Sequence, residues 1–121
     1  MSSEEKKAFL LLKKVIFQYH GVDEDEQQII NDTVAQLDAE NESKWADDFI
    51  EEDNYGAFDR ARNYLGNVMN GLERKTRINF LESVHDANGK KGYISEMEAI
   101  AMITLARDWD VENEFIEIIK R

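Results

Sequence analysis

The stretch Val84-His85-Asp86-Ala87-Asn88-Gly89-Lys90-Lys91-Gly92-Tyr93-Ile94-Ser95-Glu96-Met97-Glu98 decides how this chain is read. It is polar and broken by glycines, and it ends in Ser95-x-x-Glu98, a pair that closes the start of a helix by reciprocal hydrogen bonds. Apolar residues at helical spacing lie on both sides of it. A shorter version, His20-Gly21-Val22-Asp23-Glu24-Asp25-Glu26, lies near the N-terminus. These two segments are where the chain offers chemistry. The rest reads as helix.

Before the shorter segment, Phe9, Leu12, Val15, Ile16 and Tyr19 recur at helical spacing and make one apolar stripe. Ser2 or Ser3 can cap that helix, with Glu4 and Glu5 in its first turn, and Gly21 is its expected end. Asp23-x-x-Glu26 then reads as a second capping box, opening a helix whose inner face is Ile29, Ile30, Val34 and Leu37. Asn41 or Ser43 is the expected cap of a short third helix with Trp45, Phe49 and Ile50, and Asn54-Tyr55-Gly56 breaks it. Phe58, Ala61, Leu65, Val68 and Leu72 form a seam in alternating threes and fours. Gly66 lies inside this helix at a cost of about 1 kcal/mol relative to alanine, with close helix approach as the expected reason. Asn70-Gly71 ends it.

Ile78, Leu81 and Val84 carry the next helix into the central segment. Beyond Ser95, the residues Ile100, Ile103, Leu105, Ala106 and Trp109 mark a helix expected to be the most buried. Asp110 is the expected cap of the last one, with Val111, Phe115, Ile118 and Ile119 on its face. No segment alternates with period two, and no strand–turn–strand signature occurs. The expectation is an all-α single domain over residues 1–121, about six or seven helices of roughly 10–17 residues, with antiparallel neighbours.

Composition agrees with this and removes several functions. A chain of 121 residues fits one domain, which buries roughly 65% of its unfolded surface. The absence of cysteine excludes a disulfide framework, a zinc–thiolate site and a thiol nucleophile. Without proline, no helix is interrupted by one. A net charge of −11 disfavours nucleic-acid binding, which needs a basic face. Arg74, Lys75 and Arg77 are expected to form a solvated helix face. The start of the chain is neither a secretory signal nor a membrane span, so the default location is cytoplasmic.

The two polar segments align as an internal pair. Val22 matches Ile94, Asp23 matches Ser95 and Glu26 matches Glu98. A capping box needs no ligand. Carboxylates and amide oxygens at a loop–helix junction also suit calcium or magnesium, and Asp86, Asn88 and Glu98 are the donors of the second segment. Residues 92–98 fit the second half of an EF-hand loop. With Gly92 at the sixth position, however, Ala87, Gly89 and Lys91 fall at positions one, three and five, and the ammonium groups of Lys90 and Lys91 oppose a cation.

This paired arrangement resembles the tellurite-resistance TerB family. Each half of that family carries an aspartate–glycine pair, a short loop and a glutamate in the first turn of the next helix. The matches here are His20-Gly21 with Glu26 and Asn88-Gly89 with Glu98. Residues 92–111, with Ile94-Ser95-x-x-Glu98 and Ile103-x-x-Ala106, carry the resemblance most closely. It implies two pseudo-repeated helix–loop–helix halves, a divalent-metal site built from both loops, and a stress or tellurite-resistance role. The chain departs from the pattern at both aspartates, which are His20 and Asn88, with Asp86 as a compensating carboxylate. The candidate metal ligands are therefore His20, Glu26, Asp86, Asn88 and Glu98, for calcium, magnesium or, given a histidine, zinc. His20 and His85 also read simply as helix-end or partly buried helix residues.

No glycine-rich phosphate loop, nucleophile elbow or HExxH helix occurs. Glu26 and Glu98 are the one carboxylate pair the repeat would bring together. The expected function is non-enzymatic: a TerB-like helical module that binds a metal or a protein partner through its paired loops. The alternatives are a purely structural interaction module, recognising its partner near Trp45, Phe49 and Tyr55, and a degenerate EF-hand-like calcium binder. The partner and the oligomeric state stay open.

Overall fold

Residues 8–17 are buried without interruption, and this one run organises the molecule. In a computed structural model that describes residues 1–20, 23–89 and 94–120, they belong to α1, Ser3–Phe17, which continues as a 3-10 turn over Gln18–His20. The other helices are α2 (Glu24–Leu37), α3 (Glu40–Glu52), α4 (Ala57–Asn70), α5 (Arg74–Gly89), α6 (Glu96–Asp108) and α7 (Glu112–Ile119). Among the described residues there is no strand.

α1 packs against α2, α3, α4, α5 and α6, while α7 closes over α5 and α6. A helix covered on every side must be apolar on every side, and Phe9-Leu10-Leu11-Leu12 and Val15-Ile16-Phe17 meet that demand. Burying each leucine contributes about 1.5–3 kcal/mol. The two lysines in the run keep their stems inside and lead their ammonium groups outward. Lys13 donates to Thr33 Oγ1 at 3.0 Å. Lys14 donates to Ser43 O at 3.0 Å, to Ser43 Oγ at 2.7 Å and to Asp47 Oδ1 at 2.7 Å.

Several expectations change here. α1 is no single-stripe helix, and it, rather than α6, is the most continuously buried. The inner stripe of α6 is Ala101, Met102, Leu105, Ala106 and Trp109, and Ile100 lies on its exposed side with Met97. α3 has no side-chain cap: its N-cap position is Ala39, buried directly after the left-handed Asp38 (φ 51°). Asp110 does not cap α7 either. It takes a left-handed turn (φ 57°) that lets Val111 N–H donate to Ala106 O at 2.9 Å and closes the end of α6.

Arg74 and Lys75 are exposed, as expected, and Arg77 is half-buried, but the two arginines are also engaged. Arg74 pairs with Asp110 and Glu114, and Arg77 donates to Leu72 O at 3.0 Å and Trp109 O at 3.1 Å, so both clamp the α6–α7 turn. Gly66 has no close neighbour, because a Cβ built there meets no atom within 4 Å. Close helix approach therefore does not explain it. The expected terminating glycine, Gly21, lies outside the described residues.

No helix among the described residues is long and apolar enough to cross a membrane.

Candidate functional site

Among the described residues, α1, α2 and α6 begin with a complete capping box. In α1, Glu5 N–H donates to Ser2 Oγ at 3.1 Å and Ser2 N–H to Glu5 Oε1 at 3.4 Å. In α2, Glu26 N–H donates to Asp23 Oδ1 at 2.9 Å and Asp23 N–H to Glu26 Oε1 at 3.4 Å. In α6, Glu98 N–H donates to Ser95 Oγ at 3.2 Å and Ser95 N–H to Glu98 Oε1 at 3.0 Å. The chemistry is the same each time, but the setting is not. The α1 box lies in solvent, whereas Glu26 and Glu98 are each 0% exposed. Capping does not require burial. Withdrawing a carboxylate from water is costly unless its oxygens are paired.

The last turn of α5 packs against both of the helices that these two buried boxes open. Ala87 packs with Phe17 and Ile30, and Ile30 sits one turn beyond Glu26. Its neighbour Asn88 is fully buried and directs Nδ2 at Met102 Sδ, 4.0 Å away, and Met102 sits one turn beyond Glu98. Two adjacent residues of α5 thus reach the helix that follows each polar segment. Asn88 Oδ1 has no hydrogen-bond partner among the described residues. Leaving such a group unmet costs about 1–3 kcal/mol.

The sequence read Val84 to Glu98 as one glycine-broken loop. The structure shortens it: α5 stays helical through Gly89, and the burial of Ala87 and Asn88 holds that last turn in place. In the EF-hand register, positions one to three (Ala87, Asn88 and Gly89) are therefore helical. Residues 90–93, with Lys90 and Lys91, lie outside the described residues.

Of the five candidate ligands, Glu26, Asn88 and Glu98 are fully buried. Asp86 does not join them. Its side chain is 69% exposed and lines a groove between α2 and α5 with Lys13, Asp32, Thr33 and Glu82. Two positions along a helix is a rotation of about 200°, so Asp86 and Asn88 face apart. His20 closes the 3-10 turn, and its side chain lies outside the described residues. His85 is half-buried, edge-on to the Phe115 ring at 6.0 Å, with Nδ1 3.8 Å from Asp86 Oδ1. Among the described residues, no three His, Cys, Asp or Glu side chains gather in a way that could hold a metal ion.

The aromatic surface expected near Trp45, Phe49 and Tyr55 is unevenly exposed. Trp45 and Phe49 are half-buried and stack with Tyr64 at 4.9 and 6.0 Å, with Lys7 over the first ring and Arg60 over the second. Tyr64 also donates to the Glu4 carboxylate. Burial and that bond push its phenol well above the usual range. Tyr55 alone stands fully exposed, in the turn between α3 and α4.

Periodicity did not show a groove of about 300 Å³ between α2 and α3, with Lys14 of α1 and Gln18 of the 3-10 turn along its base. The signal that could have found it is the pair of lysines inside an otherwise apolar run. A buried lysine must lead its ammonium group to a polar opening.

No protein-family model, curated protein or solved structure matches the chain.

Proposed function

We propose that this protein is a non-enzymatic, TerB-like helical binding module that acts through the starts of α2 and α6 and the last turn of α5. The observation that carries this reading is the full burial of Glu26 and Glu98, set against the solvent-exposed box of Glu5. Each glutamate gives one oxygen to its own cap amide, as Glu5 does, yet only these two do so from full burial. A buried carbonyl oxygen on Asn88 lies beside the same helices. In this reading the two boxes are the pseudo-repeated halves that the sequence suggests. Glu26, Asn88 and Glu98 would contribute oxygens to a divalent cation, as calcium or magnesium requires, and His20 would favour zinc. The link to stress or tellurite resistance rests on the resemblance alone.

A specific observation favours a second reading, a protein-interaction module without metal. Oε1 of each glutamate is already engaged by its own cap amide.

Thermal melts with calcium, magnesium, zinc and manganese separate the two, run beside a Glu26→Gln/Glu98→Gln double variant. A cation that binds only the folded state, at a hundred times its dissociation constant, adds about 2.7 kcal/mol. A metal-specific rise in the wild type that the variant lacks supports the cation site. No rise with any of the four leaves the glutamates as caps and favours the second reading.

A further inference from the structure

Charge in this chain is segregated. Residues 23–53, which include α2 and α3, hold 13 of the 26 acidic residues and only Lys44 of the 15 Lys and Arg, a formal −12. The remaining 90 residues carry the other 13 acids and 14 bases, so the whole of the net −11 originates in one helical hairpin. All but Glu26 and Glu42 of these carboxylates are exposed.

The groove opens inside this hairpin. α2 presents Gln27 and Asn31 to it, α3 presents Asp47 and Glu51, and Ile30 and Ile50 lie between the walls and the α1 floor. Lys14, the cation on the floor, is already neutralised by Asp47 at 2.7 Å and saturated by Ser43. Gln18 lines both this groove and a smaller recess of about 190 Å³ bounded by Val15, Tyr19, Tyr55 and Phe58. The concave strip therefore joins, at Gln18, an acidic, amide-lined trough to a recess where Val15 and Phe58 lie beside the polar Gln18 and Asn54, and the fully exposed Tyr55 borders that recess.

We propose that this strip docks a positively charged segment of another protein, with its Lys or Arg side chains along the α3 wall and an apolar side chain against Tyr55. The field selects that occupant. A second copy of the chain would bring −12 against −12, and like charges at an interface cost several kcal/mol. Nucleic acid and anionic lipid are repelled for the same reason. The amides of Gln18, Gln27 and Asn31 can donate to and accept from a peptide backbone. An exposed tyrosine is the side chain most suited to anchor such a contact, because it offers a large rigid area at low entropic cost. The strip does not involve the buried glutamates, so this proposal stands or falls apart from the metal reading.

The probe is a synthetic amphipathic Lys/Leu peptide. An oligolysine and a Glu/Leu peptide of equal length serve as controls, read by amide chemical shifts and calorimetry at about 50 and 300 mM salt. The Lys/Leu peptide is expected to shift amides of residues 14–18, 27–31 and 43–55 and to bind about tenfold more tightly than oligolysine. It should also retain binding at the higher salt. Tyr55→Ala and Glu51→Gln are each expected to weaken it severalfold. Both residues are exposed, so the variants should melt as the wild type does. Equal binding of oligolysine, shifts that centre on another face such as Met97 and Ile100, indifference to Tyr55→Ala, or no binding would each overturn the proposal.

Discussion

Lys14 Nζ lies 2.7 Å from Asp47 Oδ1, and this contact joins the most buried helix of the protein to its most acidic one. The lysine side chain is 8% exposed and the aspartate 56%. Lys14→Met keeps the apolar stem and leaves Asp47 and Ser43 able to reach water. It should cost about 1 kcal/mol or less. Lys14→Ala removes the stem as well and opens a void against α3, so it should cost about 2–4 kcal/mol. Denaturant melts of the two variants check this. Equal losses would mean that the charge, rather than the stem, carries the contact.

Gly66 lies in the middle of α4 with open space where a Cβ would sit. Gly66→Ala should therefore stabilise the protein by about 1 kcal/mol, through helix propensity and a less flexible unfolded chain. A lowered denaturation midpoint would show that a contact forms there in solution.

Asn88 is a fully buried polar side chain whose Nδ2 points at Met102 Sδ and whose Oδ1 is unmet among the described residues. Asn88→Leu, of similar shape, should leave stability within about 1 kcal/mol of the wild type or raise it, because replacing an unsatisfied group by an apolar one removes its desolvation cost. The same variant should abolish any cation-induced rise in melting temperature if Oδ1 is a ligand. Paired melts with and without metal measure both effects at once.

Tyr64 sets an alkaline limit. Its phenol is raised above the ordinary value by burial and by the bond to Glu4, and burial with the nearby Asp59 raises Tyr19. An unfolded tyrosine loses its proton near pH 10, roughly, while the folded protein retains it longer. The folded state thus binds more protons in that range, and stability must fall as pH rises. The contribution is complete below about pH 10 and declines above it. Tyr64→Phe should cost about 1 kcal/mol at neutral pH and show a shallower alkaline decline. Unfolding curves at stepped pH, with absorbance at the phenolate band, test this.

Features that depend on residues three or four apart were legible in the sequence. The Ser2, Asp23 and Ser95 caps, the break at Asn54-Tyr55-Gly56 and the α4 seam are all where spacing places them. Their physics is confined to one turn of backbone. The failures at Ala39 and Asp110 share one cause. Left-handed residues at the ends of α2 and α6 deliver the chain into the next helix without a side-chain cap, and aspartate gives no sign that it will take a conformation usually left to glycine.

The sequence by itself determined an all-helical chain, the starts of its capped helices, the overall acidity and the two glutamates that make its buried boxes. Tertiary structure alone decided that α1 is covered on every side, that Asp86 faces solvent while Asn88 faces the core, and that the acidic hairpin opens as a groove. The physical reason is range: hydrogen bonds within a turn are written in neighbouring residues, whereas burial and the direction of a charge depend on which distant helix lies across from them.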